Sequence, residues 1–267
     1  MTKQSPGAQP SVTLHDIFLA ARRIAPHIRN TPLERSTALS DELGCEVWLK
    51  LECQQRTGSF KLRGALNRLL SLGPEARARG VLTCSAGNHG LGVAAAARLT
   101  GIPATIVVPE NASPAKVEGV RRTGVELLLV GADYDAAEAQ APSIAEARGL
   151  VFVSPYDDPF VIAGAGTVAL EIMRDLPEVG TILVPVGGGG LLAGVAAYIK
   201  YVRPSVRVIG VEPEDAACLD AALKAKRRVV LSQVGIFADG VAVAQIGKET
   251  FRIIRQTVDE VITANLS

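Results

Sequence analysis

Three short stretches carry residue types that could do chemistry. The first, residues 54–70, reads QQRTGSFKLRGALNRLL. Leu62, Ala65, Leu66, Leu69 and Leu70 recur at i, i+3, i+4, i+7 and i+8, the stripe of an amphipathic helix. Thr57-Gly58 supplies a turn and Ser59 an N-cap. Lys61 then stands at the first helical position, where the helix dipole is positive and an acidic residue is the ordinary choice. A lysine there has its ammonium form disfavoured and its amine pKa lowered, as a nucleophilic lysine requires. The plain alternative is a solvated surface lysine. The second stretch is VPVGGGGLLAG. Gly187, Gly188, Gly189 and Gly190 follow an apolar strand and precede a helix starting near Leu191. Four glycines let backbone N–H groups converge on an anion, and the helix N-terminus adds its dipole, which makes a phosphate cradle. The third is CSAGNHG, in which Ser85, Gly87, Asn88 and His89 lie between a strand and a helix. Its hydroxyl, amide and turn N–H groups suit a carboxylate or a phenolate oxygen. The competing reading is a helix cap with a buried histidine.

The glycine stretch also fits a dinucleotide site. Gly188, Gly190 and Ala193 satisfy G-x-G-x-x-A after a strand, and Glu212 stands where a ribose-binding acid would sit. Gly90, Gly92 and Ala95 satisfy the same pattern, which shows how permissive it is, and neither match explains Lys61. A lysine of depressed pKa, a phosphate cup and a carboxylate-sized loop together describe pyridoxal 5'-phosphate held as a Schiff base beside an amino-acid substrate.

The elements that must position these residues alternate in type. Strands are expected at 81–84, 104–108, 125–130, 151–153, 181–186 and 207–211. Helices are expected at 90–99, 114–122, 134–147, 162–174 and 191–201. A further helix near the start is capped by Thr13 with Asp16 and stopped by Pro26, and EVWLKLE reads as a strand. Such alternation implies βαβ units and parallel sheets. The expected fold is α/β with two doubly wound parallel-sheet domains. The small domain covers 80–157. The large one is built from 1–79 and 158–267. Ligands of such folds sit at the carboxyl ends of the strands.

Composition narrows the function. The chain has 267 residues, 48% hydrophobic and 21% charged, with 26 glycines, which suits a buried α/β core. A net charge of +1 gives no electrostatic footprint for nucleic acid or an anionic membrane. The apolar stretch 181–199 is interrupted by Pro185 and the glycines, so a strand, a loop and a buried helix explain it better than a membrane span. Cys45, Cys53, Cys84 and Cys218 form no CxxC pair and read as reduced thiols of a cytoplasmic protein. His15, His27 and His89 have no metal-ligand spacing, so no metal is expected. The start, MTKQSPGAQP, is polar and reads as a disordered lead-in.

In SFKLRGA, SAGNHG, VIAGAGT, PVGGGG and VEPEDAACLDAAL…FADGVAV, the sequence resembles fold-type II pyridoxal-phosphate enzymes of the serine/threonine dehydratase family. The last block is most similar to biosynthetic threonine dehydratases, and the similarity runs from about Thr31 to the end. The resemblance implies a tryptophan-synthase-β-like fold and elimination from L-threonine or L-serine to a 2-oxo acid and ammonia. It implies that Lys61 carries the cofactor covalently and moves the substrate α-proton. Phe60 would pack beside the ring, and Asn88 would hydrogen-bond its phenolic oxygen. Gly187, Gly188, Gly189 and Gly190 would bind the phosphate, while Ser85, Gly87, Asn88 and His89 would hold the substrate carboxylate. The racemase branch carries a serine where Ala86 stands. Some members bind a cation near the position of Glu212, where Cys218 replaces a carboxylate. The family continues beyond EVITANLS with elements that contact the pyridine nitrogen, so the large domain is expected to be incomplete and the chain to form a homo-oligomer. The alternatives are a weakly active or non-catalytic cofactor-binding homologue and a nicotinamide-dependent oxidoreductase.

Overall fold

The computed structural model describes residues 12–235 and 237–265. The lead-in expected over the first ten residues lies outside them. Helix α1 (Leu14–Ile24) opens on the expected capping box: Thr13 N–H donates to Asp16 Oδ2 at 2.8 Å, and Asp16 N–H donates to Thr13 Oγ1 at 3.3 Å. Strand β1 (Leu33–Arg35) and strand β2 (Trp48–Lys50) pair antiparallel around helix α2 (Thr37–Leu43). Helix α3 (Lys61–Leu70) and helix α4 (Pro74–Arg79) follow.

A four-stranded parallel sheet comes next. Its strands are β3 (Val81–Cys84), β4 (Ala104–Val108), β5 (Glu126–Leu129) and β6 (Val151–Phe152), in the order β5-β4-β3-β6. Helices α5 (Asn88–Thr100), α6 (Pro114–Arg121) and α7 (Tyr134–Ala147) connect them. The order reverses at β3, so its carboxyl end is a topological switch point, where such sheets open a crevice. Helix α8 (Pro159–Asp175) leads to a three-stranded parallel sheet. This sheet runs β7 (Thr181–Pro185), β8 (Arg207–Pro213) and β9 (Glu260–Ala264), with helices α9 (Gly190–Val202), α10 (Cys218–Ala225) and α11 (Lys248–Thr257) between. The α/β class and parallel sheets are as expected. The stretch 181–199 is indeed strand, loop and helix, and among the described residues no helix is long and apolar enough to cross a membrane.

Helix α3 packs between α5 and α8. Leu62, Ala65, Leu66 and Leu69 are fully buried in the core shared with α5, β3 and β4. Across α3 lies α8. A Cβ on Gly164 would stand 2.6 Å from the Arg63 carbonyl oxygen, so the helices touch backbone to backbone there. Arg63 itself is 0% exposed. Its guanidinium forks onto Glu52 through Nε and Nη2, both at 2.8 Å, and onto Glu171 at 2.6 and 2.9 Å. Lys50 Nζ closes the cluster at 2.7 Å from Glu171 and donates to Thr31 O at 2.6 Å. Burial opposes the charge on Glu171, yet the hydrogen bonds from Arg63 and Lys50 hold its pKa below the ordinary carboxylate value. Two cations face two anions, so every charge is compensated.

Removing the central cation would leave Glu52 and Glu171 facing each other with only Lys50 to compensate them. Arg63→Met should lower unfolding free energy by about 3–5 kcal/mol, read from urea melts at neutral pH. Glu171 has a depressed folded-state pKa, so its stabilising contribution is present above its unfolded value and is lost as pH falls through the folded one. The gap between wild type and variant should therefore narrow in acid.

Candidate active site

The carboxyl end of β3, the start of α3, residues 153–157 and the loop after β7 meet in one place. Lys61 is the first residue of α3, as the stripe predicts. Ser59 is not its cap. Phe60, at φ −62° and ψ −17°, is already nearly helical and takes the N-cap position, and no side chain caps the helix. The displaced Ser59 hydroxyl is buried without a hydrogen-bond partner.

The Lys61 amine donates to Pro155 O at 2.8 Å and lies 5.3 Å from the centre of the Phe60 ring. Among the described residues no carboxylate compensates it. Burial therefore lowers its pKa to about 8. Desolvation is the cause that the structure adds to the helix dipole expected at this position. At pH 7 about a tenth of such an amine is uncharged, against less than a thousandth of an ordinary lysine. Gly92 lets α5 cross close over this point: a Cβ there would be 3.2 Å from the Lys61 carbonyl carbon.

The CSAGNHG stretch divides differently from the loop-then-helix expectation. Helix α5 begins at Asn88, with Gly87 as a cap that offers no side chain. Ser85 Oγ accepts from Gly87 N–H at 3.2 Å, which leaves its proton available to an acceptor. Leu91 N–H donates to Gly87 O at 3.1 Å, while among the described residues the amides of Asn88, His89 and Gly90 have no acceptor, an arrangement that suits an anion. Asn88 is exposed, whereas His89 is buried. His89 Nε2 lies 3.2 Å from Val153 O, which can only accept, so Nε2 carries the proton and Nδ1 is an unpartnered buried acceptor. Burial, reinforced by the nearby Lys61 charge, pushes its pKa down to about 3. The imidazole is neutral and points into the core, so only the backbone N–H of His89 can serve an anion.

Gly188, Gly189 and Gly190 are buried and Gly187 is partly so. Among the described residues, the amides of Gly187, Gly188 and Gly189 donate to no carbonyl or side chain. Buried orphan amides are costly and rare unless a ligand satisfies them. Gly189 sits at φ +89°, in the left-handed region. The Tyr156 ring occupies the space that a Cβ on Gly188 would need. Cys218 Sγ lies 3.7 Å from Gly187 O, and burial pushes that thiol up to about 12, so it acts as a neutral donor.

Glu212 does not serve a ribose. It is 0% exposed, and its oxygens accept from Leu219 N–H at 2.8 Å and Asp220 N–H at 2.9 Å, capping α10. Among the described residues no cluster of three or more His, Cys, Asp or Glu is placed to hold a metal ion. Two participants escaped sequence reasoning. Pro155 and Asp157 lie in PYDD, a stretch without a motif of its own; Asp157 accepts from the Lys248, Glu249 and Thr250 amides at 2.8, 2.8 and 3.2 Å.

An uncompensated buried lysine, a cup of orphan amides and a free helix N-terminus on parallel α/β sheets define a fold-type II pyridoxal-phosphate enzyme. Comparison with known proteins agrees. The model for the family "Pyridoxal-phosphate dependent enzyme" matches residues 24–267, and the chain belongs to that family. It is 48% identical over 232 residues to the biosynthetic L-threonine dehydratase of Pasteurella multocida, spanning 87% of this chain and 45% of that protein. It superimposes on the processed threonine deaminase isoform 2 of Solanum lycopersicum with a TM-score of 0.89 at 39% identity, spanning 99% of this chain and 80% of that one. Maize serine racemase gives 0.91 at 37%, spanning 96% and 77%. The chain spans about half the length of several curated relatives it matches. The residues present fit the family's cofactor: Lys61 offers a free amine to its aldehyde, and the glycine amides offer donors to its phosphate. Membership of this family sets aside the nicotinamide alternative.

Only the uncharged amine attacks an aldehyde. The rate at which Lys61 captures pyridoxal phosphate should rise with pH and level off above about 8, rather than climbing toward the 10.4 of an ordinary lysine. Stopped-flow absorbance of the bound cofactor measures this, with Lys61→Ala as the blank.

Proposed function

We propose that the chain carries the catalytic core of an L-threonine and/or L-serine dehydratase, which removes the β-hydroxyl to yield a 2-oxo acid and ammonia. The observation that carries this reading is the Lys61 amine, buried without a counter-ion beside the orphan amides of the glycine loop. Relatives named as threonine dehydratases or ammonia-lyases, 46–49% identical, support it.

Bound pyridoxal phosphate supplies the electron sink for the substrate α-carbon. The protein supplies position and proton traffic. Lys61 would hold the cofactor and, as a free amine, would take the substrate α-proton on Nζ; its lowered pKa suits both tasks. Gly187, Gly188, Gly189 and Gly190 would bind the phosphate through their amides. Phe60 would pack beside the ring, and the Asn88 side chain would hydrogen-bond its phenolic oxygen. The substrate carboxylate takes the Ser85 hydroxyl and the α5 amides of Asn88 and His89, while Gly87 N–H holds Ser85 in place.

Similarity to a racemase does not favour racemisation here. Ala86 has no hydroxyl and packs against the core of α3, α5 and β3, so no base stands there on the opposite ring face. A homo-oligomer is part of this proposal. Leu183 is 60% exposed mid-strand, and Pro185 and Ile262 share its face of the β7–β8–β9 sheet, an apolar surface suited to a second copy.

Holoenzyme given L-threonine should release 2-oxobutyrate and ammonia in equal amounts, measured by coupled assay. Saturated cofactor binding without product would support the non-catalytic reading instead. Ala86→Ser should raise D-serine formation modestly relative to elimination, read by chiral chromatography of residual serine.

A further inference from the structure

Thr250 lies in the first turn of α11, far in sequence from the glycine loop, and is 0% exposed. A threonine hydroxyl in a helix usually returns to the carbonyl one turn back. Here it donates across the fold to Gly188 O at 2.8 Å, and Gly247 N–H reaches the same oxygen at 3.3 Å. We infer that Thr250 is a positioning residue for the cofactor phosphate, presetting the Gly188–Gly189 peptide so that its N–H faces the anion. The inference rests on the phosphate-cup reading above and extends it to a residue that touches no ligand.

The peptide unit is planar and trans, so its C=O and N–H point in opposite directions. With the Gly188 carbonyl fixed toward α11, the Gly189 N–H must point away from it. That amide donates to nothing among the described residues. Hydrogen bonds on the carbonyl also polarise the peptide and strengthen its N–H as a donor. Glycine at φ +89° has little intrinsic preference for this orientation, so an outside restraint is needed.

The restraint is itself anchored. Asp157 caps α11 through the three amides described above, and a Cβ on Gly247 would stand 2.5 Å from Asp157 Oδ1 and 2.6 Å from Thr250 Oγ1. Any side chain at position 247 would therefore crowd both the Asp157 cap and the Thr250 hydroxyl. Asp157 follows Pro155, the acceptor of the Lys61 amine, and Tyr156, whose ring covers Gly188. One short segment thereby ties the phosphate end of the site to its lysine end.

The test compares two probes, pyridoxal 5'-phosphate and pyridoxal, titrated by absorbance into wild type, Thr250→Val and Thr250→Ser. Wild type should prefer the phosphorylated probe strongly. Thr250→Val, which keeps shape but loses the hydroxyl, should weaken pyridoxal 5'-phosphate about tenfold or more and pyridoxal little. Thr250→Ser should restore the wild-type ratio. If Thr250→Val is insoluble, Thr250→Ala carries the same comparison. A valine or alanine variant that keeps the wild-type ratio, or that loses both probes equally, overturns the positioning role. A wild type with no preference between the probes overturns the phosphate cup, and this inference with it.

Discussion

A lysine amine buried without a counter-ion is the constraint around which this fold is arranged. Desolvation penalises the charged form, and only a rigid surround keeps the amine from swinging into water or toward a carboxylate. The backbone that carries Lys61 is held from three sides. Arg63, two residues on, is clamped by Glu52 and Glu171. Gly164 brings α8 into backbone contact with α3, and Gly92 brings α5 across its start. The charge cluster and the uncharged amine are complementary: compensation is complete at Arg63 so that it can be absent at Lys61.

The two halves of the molecule converge on residues 153–157. Val153 O accepts from both Thr83 and His89, Pro155 O accepts from Lys61, and Asp157 caps α11. This stretch closes the small parallel sheet and opens α8, so the groups that hold the lysine also connect the carboxyl end of β3 to the glycine loop. A buried neutral His89 fits this role, since a protonated imidazole would repel the ammonium form of Lys61.

Much of this was legible in the sequence because local rules acted without competition. The capping box of Thr13 and Asp16, the apolar strands β3 and β4, and Lys61 at the start of an amphipathic stripe all follow from short-range patterns. Elsewhere tertiary contacts outweighed such patterns or decided between two readings. Ser59 matches a cap by type, but the near-helical backbone at Phe60 moved the helix start and stranded its hydroxyl. His89 stood open between a binding group and a buried histidine at a helix start, and the α5 turn directs its ring inward. Glu212 matched a ribose acid by position, but α10 lies close enough to take both of its oxygens. Arg63–Glu171 and Asp157–α11 join residues so distant in sequence that no spacing rule finds them. Helix α11 did carry a usable signal, since Phe251, Ile253 and Ile254 fall on one buried face.

The central claim is that Lys61, alone among the lysines of the described residues, is poised to take the cofactor. The most direct measurement is borohydride reduction of the protein after equilibration with pyridoxal 5'-phosphate, followed by peptide mapping by mass spectrometry. The account predicts one stoichiometric phosphopyridoxyl label, on Lys61, in the peptide beginning at Thr57, since trypsin cuts after Arg56 but not after a labelled Lys61. A label distributed over several lysines, or a stoichiometric label on Lys50, Lys116 or Lys200 with Lys61 unmodified, would contradict it.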